Sequence, residues 1–455
     1  MTNSRKSVTT SRGSAIACLV EWAESGKPAQ WVIDKGIHNT SLKNEDRQLA
    51  VRLVMGVIRR QQYLDIILSR FSKTPLRKMK PLTRATLRVG IYQLCFLDRI
   101  PDSAAVNETV KAFKKARQPG WLVRFVNGTL RSVARKKNSL PAPDSAGPGN
   151  TEVLEHPAWL TERWQRKFGR DRMLDICRMN SREPELCLQV NPTRVSRDQL
   201  ARQLTLAGID VRVGRYSPES LVLTGFHGSV TALPGFTEGK FQVQDQAAYL
   251  CSKLFGPLRE KGRYLDACAG LGGKTCALSF FLPPGAVLDA VEPDPRRSRL
   301  LVENLQRMGF DSRVRIFQQD LQSFASSGEV RYDGILVDAP CSGTGVIRKH
   351  PDIRWNRTEN DLAVNRKTQG ELLQIAGSLL APGGTLVYAT CSLEPEENEQ
   401  VVDLFLAENT EYVLTDTRVY LPESAGALVN DAGMFSPVPS EEIEGFFAAR
   451  MVRKH

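Results

Sequence analysis

Two of the nine cysteines stand where a reactive thiol would be useful. Cys341 closes Asp338-Ala339-Pro340-Cys341 directly after the apolar run 335–337, and Cys391 lies in Thr390-Cys391-Ser392 after the run 386–389. Both runs predict strands. In an open α/β sheet the ligand lies beyond the carboxyl ends of the strands, and the fourth and fifth strands of a doubly wound sheet are neighbours, so both thiols are expected to face one pocket. A thiolate there is a nucleophile, and methylation of a pyrimidine at carbon 5 needs one. Carbon 5 of cytosine is too weak a nucleophile to take a methyl group directly. A cysteine must first add at carbon 6 to make carbon 5 enamine-like; the carbon-5 proton then leaves and the cysteine is eliminated. Cys18, Cys95, Cys177, Cys187, Cys251 and Cys276 have no such setting and read as small buried hydrophobes.

The other strand ends complete the rim. The first carries Asp266-Ala267-Cys268-Ala269-Gly270-Leu271-Gly272-Gly273-Lys274-Thr275, where glycines let backbone amides approach a ligand at a helix start. Alone, this reads equally as a tight strand-to-helix turn or as the end of a phosphate loop, but the first glycine of a phosphate loop would fall at Cys268. Glu292, Asp320 and Asp338 end further strands. Several carboxylates repel a phosphate chain and suit a cofactor with ribose hydroxyls and net positive charge, of which S-adenosylmethionine is the common one. Glu292 is placed to accept from both ribose hydroxyls, and Asp338 to accept from the amino edge of a cytosine. The cysteines form no C-x-x-C pair and the five histidines have no ligand-like spacing, so no metal site is expected.

The elements that position these residues follow from periodicity. From residue 262 onward apolar runs alternate with helical segments (RYLDAC, AVLDAVE, RVRIFQQD, YDGILVD, TLVYATC), which implies an open parallel sheet with helices on both faces. Residues 12–137 read as helices throughout: Leu53, Val54, Val57, Ile58, Leu64, Ile67, Leu68 and Phe71 recur at helical spacing, as do Leu87, Ile91, Leu94 and Cys95. A last helix over 121–137 sets Leu122, Val126, Leu130 and Val133 on one side and aligns Arg124, Arg131 and Arg135 on the other. The Pro-, Gly- and Ser-rich stretch 137–150 reads as a linker. Helices near 159–177 and 197–207 and strand-like runs at 186–190, 210–213 and 221–224 suggest a small α/β subdomain.

Charge separates the parts. Residues 1–150 carry 27 Lys+Arg against 10 Asp+Glu, whereas 151–455 carry 35 against 40, so the whole net charge of +12 originates in the first third. That third is expected to bind a polyanion, with the three aligned arginines on phosphates; a solvated basic surface is the plainer alternative. With 41% hydrophobic and 25% charged residues the chain is expected to fold in water, and no run nears the ~20 apolar residues of a membrane helix. The polar opening MTNSRKSVTTSRG reads as a loose tail on a cytoplasmic protein.

The motifs DACAGLGGKT, VEPD, QQD, DAPCSGTGV and YATCSLEPEENE together resemble those of the RNA cytosine-5 methyltransferases that use S-adenosylmethionine. In that family the Thr-Cys cysteine, here Cys391, is the nucleophile, and the Pro-Cys cysteine, here Cys341, assists release of product. The cofactor loop would be Cys268, Ala269, Gly270, Leu271, Gly272, Gly273 and Lys274, with Glu292, Asp320 and Asp338 as further contacts. Gly270-Leu271 stands where relatives usually have Ala-Pro, and Glu292 where they have Asp; both keep loop size and charge. The first third is similar to NusB-like RNA-binding domains through LRVGIYQLCFLDRIPDSAAVNETV and RFVNGTLR, and with VIRKHPDIRW the order resembles the bacterial small-subunit ribosomal RNA methyltransferases of the Sun/Fmu (RsmB) type. The resemblance implies an all-α NusB-like domain (1–140), a linker (141–153), a small α/β RNA-contacting subdomain (154–235) and a Rossmann-like α/β methyltransferase domain (236–455), ending in the strand GFFAARMVRK. A monomer acting on RNA, without metal or membrane, is expected. Transfer RNA as substrate, or a non-catalytic RNA-binding role, are the alternatives.

Overall fold

The computed structural model describes residues 10–143, 153–328 and 330–455. They form two compact units, one of residues 1–182 with 350–356, the other of 183–349 with 357–455. The expected linker 141–153 lies mostly outside the described residues, as does most of the expected tail; its last residues instead open the first helix, Ser11–Ser25, capped by the Thr10 side chain at its start and by left-handed Gly26 at its end.

The first unit is all helical. Helices Asn44–Arg59, Gln61–Phe71, Pro81–Phe96, Asp102–Lys115 and Gly120–Arg135 follow the first. The apolar period expected over 44–71 is real, but the chain breaks at Arg60 (φ −111°, ψ 27°), giving two helices. Leu53, Val57, Leu64, Ile67, Leu87, Ile91, Val126, Leu130 and Val133 are all buried in one core. Gly56 permits the close helix contact with Tyr92: a Cβ there would fall 2.0 Å from the ring. Helices Ala158–Phe168 and Arg170–Asn180, separated at Gly169 (φ 79°), also belong to this unit by their contacts. So does the segment 350–356, inserted from far along the chain. Asp352 accepts from Ala29 N at 3.0 Å, buried Arg354 donates to the carbonyls of Glu155 and Asn180 at 2.8 Å each, and the Trp355 indole donates to Ile58 O at 3.0 Å.

The second unit holds two sheets. β1 (Leu186–Val190), β2 (Val211–Val213), β3 (Ser220–Leu223) and β4 (Phe241–Val243) form an antiparallel sheet in the order β2-β3-β1-β4. Helix Arg197–Leu206, opened by a Ser196/Gln199 capping box, packs Leu200 and Leu204 with Leu188 and Leu221 of this sheet. β4 was not legible in the sequence. The larger sheet comprises β5 (Arg263–Asp266), β6 (Val287–Val291), β7 (Val314–Phe317), β8 (Tyr332–Asp338), β9 (Leu380–Thr390), β10 (Tyr412–Thr415) and β11 (Phe447–Arg453), in the order β10-β11-β9-β8-β5-β6-β7. β5 to β9 are parallel to their neighbours among themselves, as expected; β10 and β11 run antiparallel at one edge, so the sheet is mixed. Side chains alternate between two cores. Tyr264, Leu336, Val387 and Ala389 pack with Leu250, Leu278, Leu301 and Leu305 on one face, and Leu265, Ile335, Val337, Leu386 and Tyr388 pack with Leu373, Ala376 and Phe405 on the other. Among the described residues no helix is long and apolar enough to cross a membrane.

Candidate active site

β8 and β9 pair in parallel with Asp338 opposite Ala389, so their carboxyl ends deliver the two cysteines side by side. Cys341 Sγ lies 3.3 Å from Cys391 Sγ. Backbone bonds tie the two turns together: Ala339 N donates to Ala389 O at 2.9 Å and Gly345 N to Cys391 O at 2.9 Å. A hydrogen bond with Cys391, then burial, pushes the Cys341 thiol well above its ordinary value. The six remaining cysteines with no expected role outside the cofactor loop are inert by burial: it pushes Cys18, Cys187 and Cys276 up to about 12 and Cys95 up to about 11, and raises Cys251 as well, while Cys177 is buried.

The expected cofactor loop leaves the end of β5. Buried Asp266 accepts from Thr275 Oγ1 at 2.7 Å and from Cys268 N at 3.4 Å, spanning the loop from behind, and burial lifts its own pKa to about 6. Gly270 and Gly272 adopt φ of 57° and 86°, a conformation that strains any residue with a Cβ, and at Gly272 a Cβ would also strike Leu301. At Gly272 strain and clash together require glycine, whereas at Gly270 there is open space for a side chain. Burial raises the Cys268 thiol, and the charges of Asp266, Asp338 and Glu292 raise it further, which places those acids around one loop. Glu292 is buried beyond the end of β6 and accepts from Asp294 N at 2.8 Å.

Two expected contacts have other partners in the structure. The Lys274 ammonium is buried, 2.7 Å from Asp338 Oδ2 and 4.8 Å above the Phe446 ring. Burial disfavours its charge, but Asp338 together with the nearby thiols Cys251 and Cys391 raises its pKa. Asp320 is exposed and caps helix Leu321–Ser326, with one oxygen accepting from Ser323 N at 2.8 Å and the other from Ser323 Oγ at 2.9 Å; these bonds lower its pKa. Sequence reasoning missed three supports. Arg348 donates to buried Glu444 at 2.9 Å, Lys349 reaches Asp245 at 3.2 Å, and Arg212 bridges Glu185 and Glu442, so the acidic tripeptide 442–444 latches the loop that follows Cys341.

In the helical unit Arg124, Arg131 and Arg135 lie on one helix face, exposed, and border a groove of about 1090 Å³ that Lys73, Phe71 and Phe125 also line. The alignment expected from the sequence is present.

The description "16S rRNA methyltransferase RsmB/F" fits residues 255–452, "NusB family" residues 9–135, and an RsmF/B-like ferredoxin-like domain residues 156–230. The ribosomal RNA small subunit methyltransferase B of Escherichia coli O6:K15:H31 is 36% identical over 416 residues, covering 91% of this chain and 92% of that protein. The chain belongs to the RsmB/F family of 16S rRNA methyltransferases. A probable member from Synechocystis is 32% identical over 92% of this chain and 94% of its own. A methyltransferase homologue from Pyrococcus horikoshii, known from its crystal structure, is 27% identical with a TM-score of 0.56, covering 66% of this chain and 96% of that one. Family membership makes the protein an RNA methyltransferase with a NusB-like domain, a ferredoxin-like subdomain and a Rossmann-like catalytic domain, the architecture read from the sequence.

Proposed function

We propose that the protein methylates carbon 5 of one cytosine in small-subunit ribosomal RNA through a covalent bond between Cys391 and carbon 6. The observation that carries this is the pair of thiols 3.3 Å apart beyond the ends of adjacent parallel strands. S-adenosylmethionine, when bound, supplies an electrophilic methyl group. The loop from Cys268 to Lys274 fits it: two glycines in left-handed conformation leave the backbone open to a ligand, and Asp266, Glu292 and Asp338 supply acceptors suited to a cationic, hydroxyl-bearing molecule. Glu292 would take the ribose hydroxyls, and Asp320, already capping its helix, would offer a remaining lone pair.

The Cys391 thiolate adds to carbon 6, and the electron pair so displaced makes carbon 5 nucleophilic. Lys274 holds one Asp338 oxygen, leaving Oδ1 to accept from the amino group of the cytosine and favour the adduct. Once carbon 5 carries the methyl group and a base takes its proton, the carbon–sulfur bond breaks and returns the electron pair to Cys391. Cys341 stands within reach of the departing sulfur and assists release. The target base is turned out of its stack, since carbon 5 cannot be reached within one. Residues 1–140, through Arg124, Arg131 and Arg135, and the subdomain 154–235 dock the RNA backbone.

The test is transfer from labelled S-adenosylmethionine to unmodified small-subunit RNA, followed by bisulfite sequencing. One protected cytosine is expected. Transfer confined to transfer RNA, or undiminished in Cys391→Ala, overturns the proposal.

A further inference from the structure

Glu397 lies six residues after Cys391 and is fully buried. Five donors converge on its carboxylate. Oε1 accepts from Ser342 N at 2.8 Å, from Asn365 Nδ2 at 2.8 Å and from Gln369 Nε2 at 3.3 Å, and Oε2 accepts from the hydroxyls of both Ser342 and Ser392. All five donors are neutral. A buried carboxylate costs several kcal/mol in desolvation unless its lone pairs are filled, and here three of the five donors come from the residues immediately following the two cysteines. Ser342 and Ser392 are 50 residues apart in the chain, and their hydroxyls also lie 3.1 Å from each other. The carboxylate thus joins the turn after Cys341 to the turn after Cys391. Its own backbone is held as well, since Tyr388 Oη donates to Glu397 O at 2.6 Å, and Gln369 also donates to Pro340 O at 2.9 Å.

We propose that Glu397 is the positioning residue for the cysteine pair: it fixes both turns at once and thereby sets the separation of the two sulfurs. It touches neither sulfur and no substrate atom. On the thiol-dependent reading above, it holds the nucleophile and the release cysteine in a common frame while the base enters and leaves.

The test reads sulfur geometry without RNA or methyl donor. Diamide removes two hydrogens from a thiol pair, leaving a disulfide and the hydrazine. Its rate of joining Cys341 to Cys391, followed by peptide mapping on the full chain, reports how often the two sulfurs meet. In Glu397→Ala the rate is expected to fall about tenfold or more, as proximity is lost. Glu397→Gln keeps one acceptor and lets the serine hydroxyls turn to accept from its amide, so its rate should stay near that of the wild type. Unchanged S-adenosylhomocysteine affinity certifies the fold. Should Glu397→Ala fail to fold, Ser392→Ala removes a single donor and is expected to slow cross-linking in the same direction. Cross-linking at the wild-type rate in either folded variant overturns the proposal. Because the cross-link needs no catalysis, loss of the thiol mechanism through an active Cys391→Ala enzyme would be a separate result.

Discussion

Cys341 and Cys391 face each other at 3.3 Å across the ends of two parallel strands, and the proposed reaction uses one as nucleophile and the other in release. The two positions should therefore fail differently. Cys391→Ala is expected to lower methyl transfer by roughly 10⁴-fold or more, as removal of a covalent nucleophile does. Cys341→Ala should still form the adduct but release it slowly, so an RNA-linked band should build up on denaturing gels. A band no stronger than wild type would remove Cys341 from the release step.

Lys274 and Asp338 form an ion pair in which the lysine is nearly out of solvent and the aspartate about one-third exposed. Lys274→Ala leaves Asp338 without its partner and opens a space over Phe446. After allowance for screening at Asp338, the loss in stability should be about 1–3 kcal/mol. Affinity for S-adenosylhomocysteine should fall too, because the loop is anchored through this contact. Denaturant unfolding and calorimetric titration measure the two effects, and a variant unchanged in both would leave Lys274 without the anchoring role.

Arg124, Arg131 and Arg135 share an exposed face. If each meets one phosphate, each Arg→Ala change should reduce the slope of log binding constant against log salt by roughly 0.7–0.9. The loss should be similar for RNAs of different sequence. Filter binding across a salt series checks this, and an unaltered slope in the triple variant would make the stripe merely a solubilising surface.

Glu155 is buried with its carboxylate accepting from the first-turn amides of helix Gln61–Phe71, Gln62 N at 2.9 Å and Tyr63 N at 3.2 Å. Burial lifts its pKa to about 7 despite the Arg354 charge. A carboxyl raised on folding stabilises fully below its unfolded value and loses that contribution as pH rises through the folded one. His156 beside it is held neutral by burial and acts in the opposite sense below its ordinary range. Comparing wild type with Glu155→Gln isolates the carboxyl, since both retain His156 and Arg354. The stability advantage of the wild type should shrink as pH rises from about 5 to about 8. Melting curves giving a gap independent of pH would contradict the assignment.

What the sequence made legible was carried by local pattern. Strand ends mark themselves by an apolar run closing on Asp266, Glu292 or Asp338, and adjacency of β8 and β9 follows from the doubly wound order, so the meeting of Cys341 with Cys391 could be expected. The helical core followed from the period of Leu53, Val57, Leu64 and Ile67. Long-range partners were hidden. Nothing near Lys274 announces Asp338, 64 residues on, and Glu397 in EPEENE reads as one more surface acid until Ser342 and Ser392 are seen to donate to it. β4 is three residues long and carries no period of its own; its existence depends on Leu188, Gln189 and Val190 lying opposite. The break at Arg60 is likewise a tertiary effect, because Glu155 supplies the start of the next helix from elsewhere in the chain.

The insertion of residues 350–356 into the helical unit makes this protein a poor candidate for dissection at its apparent seams. A fragment beginning at residue 183 would carry Arg354 and Trp355 but not Glu155, Asn180 or Ile58, the groups that receive their hydrogens. A buried guanidinium stripped of its acceptors is costly, and its loop begins only nine residues beyond Cys341. Part of the catalytic half's own sequence thus serves as core for its neighbour, so a cut between the two would leave both with unfilled partners.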